Sequence, residues 1–394
     1  MPVSHLLNQR EIKLGNIPAQ FFSLQPFGAV TTSRIMKKGY RTAAFYEAQL
    51  HKLAFFALWL GIFSSRVLSA YASDLQNIQH LVVFGDSLSD NGNSLDAFGL
   101  PQAPYGNTYG VTKETFPGRW TDGQNWVDYF PKIAGFFRVH IPPAAAYKYV
   151  TSETVDTGGT NFAVGFAQSG DLLEPRVSNQ FGPPVAFPAQ IPTYLATTKG
   201  NASADDLYVI WIGANDFLAG INPKDTVTHI VDGIDRLRKA GARSVIVVSV
   251  PDISVTPMII ASGAAQAAKL FVTTVNAGLE FWTAFYASSH GIEVSLIHIN
   301  TLLYQLVFNP VTFGFTNSTG AAYNPNIPQS SLNPVADPDD YVFWDGFHPT
   351  TNAHRFAAGF IFISVVSSRA SPGSTLPLAR LGRIRIYGTL KGAD

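Results

Sequence analysis

Four short, continuous apolar runs constrain this chain more than any other feature of its 394 residues. His80–Phe84, Leu207–Ile212, Ser244–Val250 and Ile292–His298 are short and rich in β-branched residues. Strands of a parallel sheet buried on both faces have that character. Parallel neighbours cannot be joined by a tight turn, so long crossovers must separate them. Helical patterns occupy much of the intervening chain. Thr226–Ala240 carries Val227, Ile230, Val231, Ile234 and Leu237 at helical spacing before Gly241 stops it. Ala264–Ser288 reads as a longer apolar helix, and Thr351–Val366 closes the pattern. This alternation predicts an α/β layer fold. The stretches 97–125, 140–205 and 308–340 are rich in Gly, Pro, Thr and aromatics and read mainly as loops. Loops of that length in a compact domain usually carry function.

Charge is sparse, at 14% of residues, and balanced, with 27 basic and 27 acidic side chains. Nothing in that balance recruits nucleic acid. There is no cysteine, which excludes disulfides, thiolate metal sites and a thiol nucleophile. His348 and His354 lie six residues apart and on a helix would point to different sides, so they make no zinc pair; no metal or organic cofactor is expected.

Near the N-terminus, Leu53–Phe63 is an apolar run too short for a comfortable membrane span. Lys37, Lys38, Arg41 and Lys52 precede it, and Ala70-Tyr71-Ala72 follows as a small-x-small site. The layout is that of a secretory signal peptide cleaved after Ala72; a buried helix or a single-pass anchor is the alternative. Met36 is the better-placed start for such a signal. The expected organisation is an N-terminal extension plus signal over 1–72, a catalytic domain over 73–366, and a basic, disordered tail over 367–394. A secreted or periplasmic location follows.

Two distant stretches carry the chemistry. Val82-Val83-Phe84-Gly85-Asp86-Ser87 ends a strand in a Gly-Asp-Ser turn, placing Ser87 at the strand's carboxyl end, where α/β sheets collect ligands. By itself, Ser87 could equally be a turn serine capping the next helix. Trp344-Asp345-Gly346-Phe347-His348-Pro349 sets an acid and an imidazole three residues apart. That spacing lets Asp345 reach one ring nitrogen of His348 while the other faces the serine, although a capping Asp and a chance His would look the same. Serine, histidine and aspartate together are what nucleophilic acyl transfer needs. The G-x-S-x-G elbow is absent, since Ser89 stands where its second glycine would be. Gly158-Gly159-Thr160-Asn161-Phe162-Ala163 and Gly213-Ala214-Asn215-Asp216 add a glycine backbone N–H and an Asn amide, the donor types that hold an oxyanion.

Taken in order, these four elements resemble the GDSL branch of the SGNH-hydrolase family over about residues 78–362. Arg119-Trp120-Thr121-Asp122-Gly123 and Asn309-Pro310-x-x-Phe313-Gly314-Phe315 resemble further segments of its secreted members. The resemblance implies a three-layer α/β/α sandwich on a mainly five-stranded parallel sheet of order 2-1-3-4-5, its remaining strand lying within 133–165. It implies Ser87 as nucleophile, His348 as general base and then acid, and Asp345 as its orienting anion. The Ser87 N–H, the Gly159 N–H and the Asn215 side chain would form the oxyanion hole. Asp86 and Asp90 would fix the loop as hydrogen-bond acceptors. Two departures stand out. Phe166 replaces a glycine common in relatives and would narrow the site or alter the fit of the acyl group, and Asn300 stands where an acid is frequent. The substrate implied is a lipid or short-acyl ester, with peripheral contact at a lipid surface; the alternatives are a carbohydrate deacetylase or an inactive secreted binding protein.

Overall fold

The computed structural model describes residues 75, 77–101, 103–107, 115–136, 159–170, 186–324, 335 and 337–369. The segment read as a signal peptide, with the expected cleavage after Ala72, and the basic tail beyond 369 lie outside the described residues.

The four apolar runs form β1 (Leu81–Gly85), β2 (Leu207–Trp211), β3 (Ser244–Val248) and β4 (Glu293–Ile297). They lie side by side in that order, all parallel, with Val83 opposite Val209, Val209 opposite Ile246 and Ile246 opposite Ser295. Every residue of β1, β2 and β3 is buried, whereas edge strand β4 is partly exposed. The fifth position of the expected sheet is filled differently. Beside the outer edge of β1 runs the segment 160–164, joined by an isolated parallel bridge between Val83 and Asn161. Val83 N–H donates to the Thr160 carbonyl at 2.9 Å, Phe162 N–H to Val83 at 2.7 Å and Val164 N–H to Gly85 at 3.1 Å. The ladder is genuine but too brief for a full strand. It lies where the order 2-1-3-4-5 requires.

Among the described residues there are nine α-helices: α1 (Asn93–Phe98), α2 (Trp126–Phe136), α3 (Phe187–Thr197), α4 (Ala214–Ala219), α5 (Pro223–Ala240), α6 (Pro257–Ala261), α7 (Ala265–Ser289), α8 (Ile299–Phe308) and α9 (Thr351–Arg369). Alternation along each strand sends side chains to opposite layers. Leu81, Val83, Val209 and Ile246 pack with α2, α8 and α9. Val82, Phe84, Ile210 and Val247 pack with α3, α5 and α7. Each such fully buried side chain contributes about 1.5–3 kcal/mol, so strands apolar on both faces are stable only between two helical layers. The molecule is a three-layer α/β/α sandwich.

Several loop expectations need correcting. Helix α3 lies inside 140–205: Phe187, Gln190, Ile191 and Tyr194 are its buried face, a helical spacing obscured by Pro188 and Pro192. Within 308–340, Asn317–Ala321 forms β5, which pairs in parallel with β6 (Tyr341–Phe343). The sequence Asn-Ser-Thr-Gly-Ala carries no apolar signal for a strand. Helix α9 passes the expected domain limit at 366 to reach Arg369. Among the described residues, no helix is long and apolar enough to cross a membrane.

Candidate active site

The carboxyl ends of β1 and β2 must approach closely for the site to form. A Cβ at Gly85 would lie 2.3 Å from the Trp211 carbonyl oxygen, so only glycine fits the end of β1. The end is then pinned by Gln190 of α3, whose Oε1 accepts from Gly85 N–H at 2.9 Å and whose Nε2 donates to the Gly85 carbonyl at 2.8 Å. The chain turns through Asp86-Ser87-Leu88. Ser89 and Asp90 N–H groups both return to the Asp86 carbonyl.

Asp90 fulfils the expected role of loop-fixing acceptor. Its carboxylate takes the N–H groups of Gly92, Asn93, Ser94 and Gly165, together with the Ser94 hydroxyl. Asn161 adds a brace, donating from Nδ2 to the Ser89 carbonyl and to Asn91 Oδ1, both at 2.7 Å. Asp86 does less than expected. One oxygen accepts from Leu88 N–H at 3.0 Å, while the other, fully buried, has no partner among the described residues. Burial pushes this carboxyl up to about 7, against the lowering effects of the Leu88 N–H and the His348 charge.

The second half of the site is the loop between β6 and α9. Trp344 N–H donates to the His348 carbonyl at 2.8 Å, closing the loop. Inside it, Asp345 Oδ1 accepts from the N–H groups of Phe347 at 2.7 Å and His348 at 2.6 Å. Its Oδ2 meets His348 Nδ1 at 2.8 Å and accepts from the Tyr105 hydroxyl at 2.8 Å. Burial would raise the Asp345 carboxyl, but the His348 charge and these hydrogen bonds outweigh it and hold the group below the usual carboxylate range. Burial and the neighbouring Asp345 charge push the Tyr105 hydroxyl up, so it remains a donor.

The Arg119–Gly123 segment supports this loop from outside. Arg119 pairs with Asp128 through Nη2 at 2.8 Å and Nε at 3.1 Å. Thr121 Oγ1 donates to the Pro349 carbonyl at 2.8 Å, and Asp122 Oδ1 accepts from Thr351 N–H at 2.7 Å. The Trp120 ring lies 5.5 Å from the His348 ring, tilted by 32°.

The two halves meet. His348 Nε2 is 2.9 Å from Ser87 Oγ across 261 residues of sequence. The expected serine, histidine and aspartate are thus brought into one hydrogen-bonded line. Asn215, at the start of α4, donates from Nδ2 to the Ala167 carbonyl at 3.0 Å, leaving its second amide hydrogen for a ligand. Its neighbour Asp216 anchors the helix by accepting from Ser169 N–H at 2.8 Å and Thr226 Oγ1 at 2.7 Å. Asn300 accepts from Ser249 Oγ at 3.1 Å and so ties together the ends of β3 and β4. His354 is buried and pushed down to about 3, by burial first and the His348 charge second, so it stays neutral.

Gly159 is not brought to the site. In the register that pairs Asn161 with Val83, Gly159 falls level with Leu81 at the opposite end of β1. That end lies about four residues' rise, roughly 13 Å at 3.3 Å per residue, from Gly85, where the turn to Ser87 begins. Its proposed oxyanion role is therefore withdrawn. Two contributors carried no readable signal: Tyr105, in a loop-like Pro-Tyr-Gly, and Gln190, in a helix read as loop. Trp120 lay inside a recognised motif, but nothing in the sequence set it against the imidazole.

Comparison with known proteins identifies the family. A family model described as GDSL-like lipase/acylhydrolase matches residues 81–361. A GDSL esterase/lipase of Arabidopsis thaliana is 25% identical over 76% of this chain and 91% of its own length. Lipase 1 of Photorhabdus luminescens is 24% identical over 84% of this chain and 57% of its own length. Among solved structures, a carbohydrate acetylesterase from Sinorhizobium meliloti aligns with a TM-score of 0.38 at 13% identity, covering 73% of this chain and 99% of that one. The chain belongs to the GDSL-like lipase/acylhydrolase family and is a carboxylic ester hydrolase.

Proposed function

We propose that the enzyme cleaves lipid or short-acyl esters through an acyl-enzyme on Ser87. His348 Nε2 takes the Ser87 proton as Oγ bonds to the ester carbonyl carbon. Asp345 holds the imidazole in the required tautomer and stabilises its cation. The oxyanion receives the free hydrogen of the Asn215 amide and the Ser87 N–H. When the intermediate collapses, the carbon–alkoxide bond breaks and His348 returns the proton to the departing alcohol. Water then repeats the sequence on the acyl-enzyme. The observation that carries this reading is the continuous line from Ser87 Oγ through both His348 nitrogens to Asp345, with Tyr105 capping its far end.

An apolar ester suits the surroundings. Phe166, Leu218 of α4, and Met258 and Ile260 of α6 stand exposed on segments that follow the carboxyl ends of strands. Met258 touches the catalytic loop, within 3.1 Å of where a Cβ on Gly346 would stand. The same side chains would serve contact with a lipid surface. Export through the signal-like segment that ends at Ala72 completes the proposal.

A p-nitrophenyl ester series from acetate to decanoate on the wild type and Ser87→Ala tests this reading. Turnover that rises beyond acetate and vanishes in the variant supports it. Strict acetate preference would transfer the enzyme to deacetylation of polyols, and absence of turnover would leave a binding protein.

A further inference from the structure

We propose that Phe166 selects the alcohol half of the ester, favouring apolar alkyl or aryl alcohols over polyhydroxylated ones; the inference rests on the catalytic reading above. Phe166 has a φ of 65°, in the left-handed region that a side chain with a Cβ rarely adopts. Strain of this kind persists only where the surroundings over-determine it, and it gathers at functional sites. Here the turn is held on both sides. Gly165 N–H donates to Asp90 Oδ2 and Ser94 Oγ, at 2.8 and 2.7 Å. Ala167 N–H returns to the Val164 carbonyl, and the Ala167 carbonyl accepts from Asn215. The strained residue therefore sits on the strip of backbone that leads from the end of β1 to the proposed oxyanion donor.

Its ring is neither buried nor free. Phe166 meets Trp120 edge-on, with ring centroids 4.8 Å apart, yet 38% of the residue stays exposed. Trp120 is itself buried and lies against the His348 ring. Chemistry then assigns the side. In the acylation step His348 Nε2 hands its proton to the oxygen of the departing alcohol, so that alcohol must lie beside the imidazole. Trp120 flanks that imidazole, and Phe166 continues the same aromatic wall one ring further out. The exposed part of Phe166 offers that moiety apolar area and no hydrogen-bonding group, which rewards alkyl or aryl groups and leaves sugar hydroxyls unsatisfied.

The test holds the acyl group constant. Butyrate esters of benzyl alcohol, ethanol and glycerol are hydrolysed by the wild type, Phe166→Gly and Phe166→Asn, with acid release followed in a pH-stat. Both variants accept a positive φ. The wild type should rank benzyl above ethyl above glyceryl in kcat/KM, and both variants should compress the benzyl-to-glyceryl ratio about tenfold. The rank order across a p-nitrophenyl acyl-length series should not change, because all alcohols leave the same acyl-enzyme. A reordered acyl series with the alcohol ranking intact would move Phe166 to the acyl side and overturn the proposal. So would indifference of both series in variants that melt cooperatively. If neither variant folds, Phe166→Tyr decides the matter: its added hydroxyl should narrow the same ratio, and an unchanged ratio overturns the proposal. Failure of the catalytic reading looks different, since turnover would then be absent from the wild type or would survive Ser87→Ala.

Discussion

The turn after β1 and the loop before α9 each contain a buried aspartate beside a reacting group, and the two acids behave in opposite ways. Asp86, next to Ser87, has one hydrogen bond to a side-chain oxygen and is pushed up to about 7. Asp345, three residues before His348, receives two backbone N–H groups, a phenol and an imidazole, and is held below the usual range. Burial is nearly the same, so it does not decide the outcome. What decides is the number of donors and the charge facing each carboxylate. The histidine half is built around a fixed anion; the serine half is built around backbone geometry and tolerates a carboxyl that protonates near neutrality.

The sharpest way to break this comparison is to neutralise the fixed anion. Asp345→Asn should lower kcat by on the order of 10³–10⁴, because an amide facing His348 Nδ1 favours the wrong tautomer. A loss below tenfold would make Asp345 a mere loop brace. The serine half should depend on donors instead. Asn215→Ala should cost on the order of 10²–10³ in kcat with little change in KM, measured by steady-state ester hydrolysis.

Asp86 tests the contrast through stability. The folded state keeps its proton up to about 7, while the unfolded chain releases it near 3.8. Between those values the native state binds the extra proton, so this carboxyl makes stability fall as pH rises and adds no further change above about 7. Asp86→Asn should flatten that decline, adding about 4 kcal/mol at pH 8 relative to pH 4 in urea denaturation. An unchanged slope would mean that the carboxyl finds a partner in solution. The smallest effect is at the far end of the line: Tyr105→Phe should reduce kcat about threefold to tenfold through loss of one hydrogen bond to Asp345.

The readability of the sequence followed the same divide. β1 to β3 were legible because strands buried on both faces must be apolar throughout, and α5 because its buried stripe repeats at 3.6 residues and ends at Gly241. Ser87, Asp345 and His348 were legible only through the order of the four motifs, because each alone could have been a turn or a cap. The supporting contacts were not. Tyr105, Gln190 and Trp120 act across long sequence separations, and each is an ordinary residue in its own neighbourhood. The fifth sheet position was foreseen as a strand, yet the chain makes only a three-bond ladder there before turning into the strained Phe166. Gly159 misled for a related reason: a glycine pair suggests close approach to a ligand, but only the register with Val83 reveals which end of the strand it occupies.

The most direct measurement is labelling with a fluorophosphonate, which reacts only with a serine activated by its own base, followed by peptide mass mapping. The wild type should carry the adduct on Ser87 and lose reactivity when pretreated with an ester-mimicking phosphonate, while His348→Ala should label far more slowly. An adduct on any other residue, or labelling at Ser87 that proceeds equally fast without His348, would contradict the account.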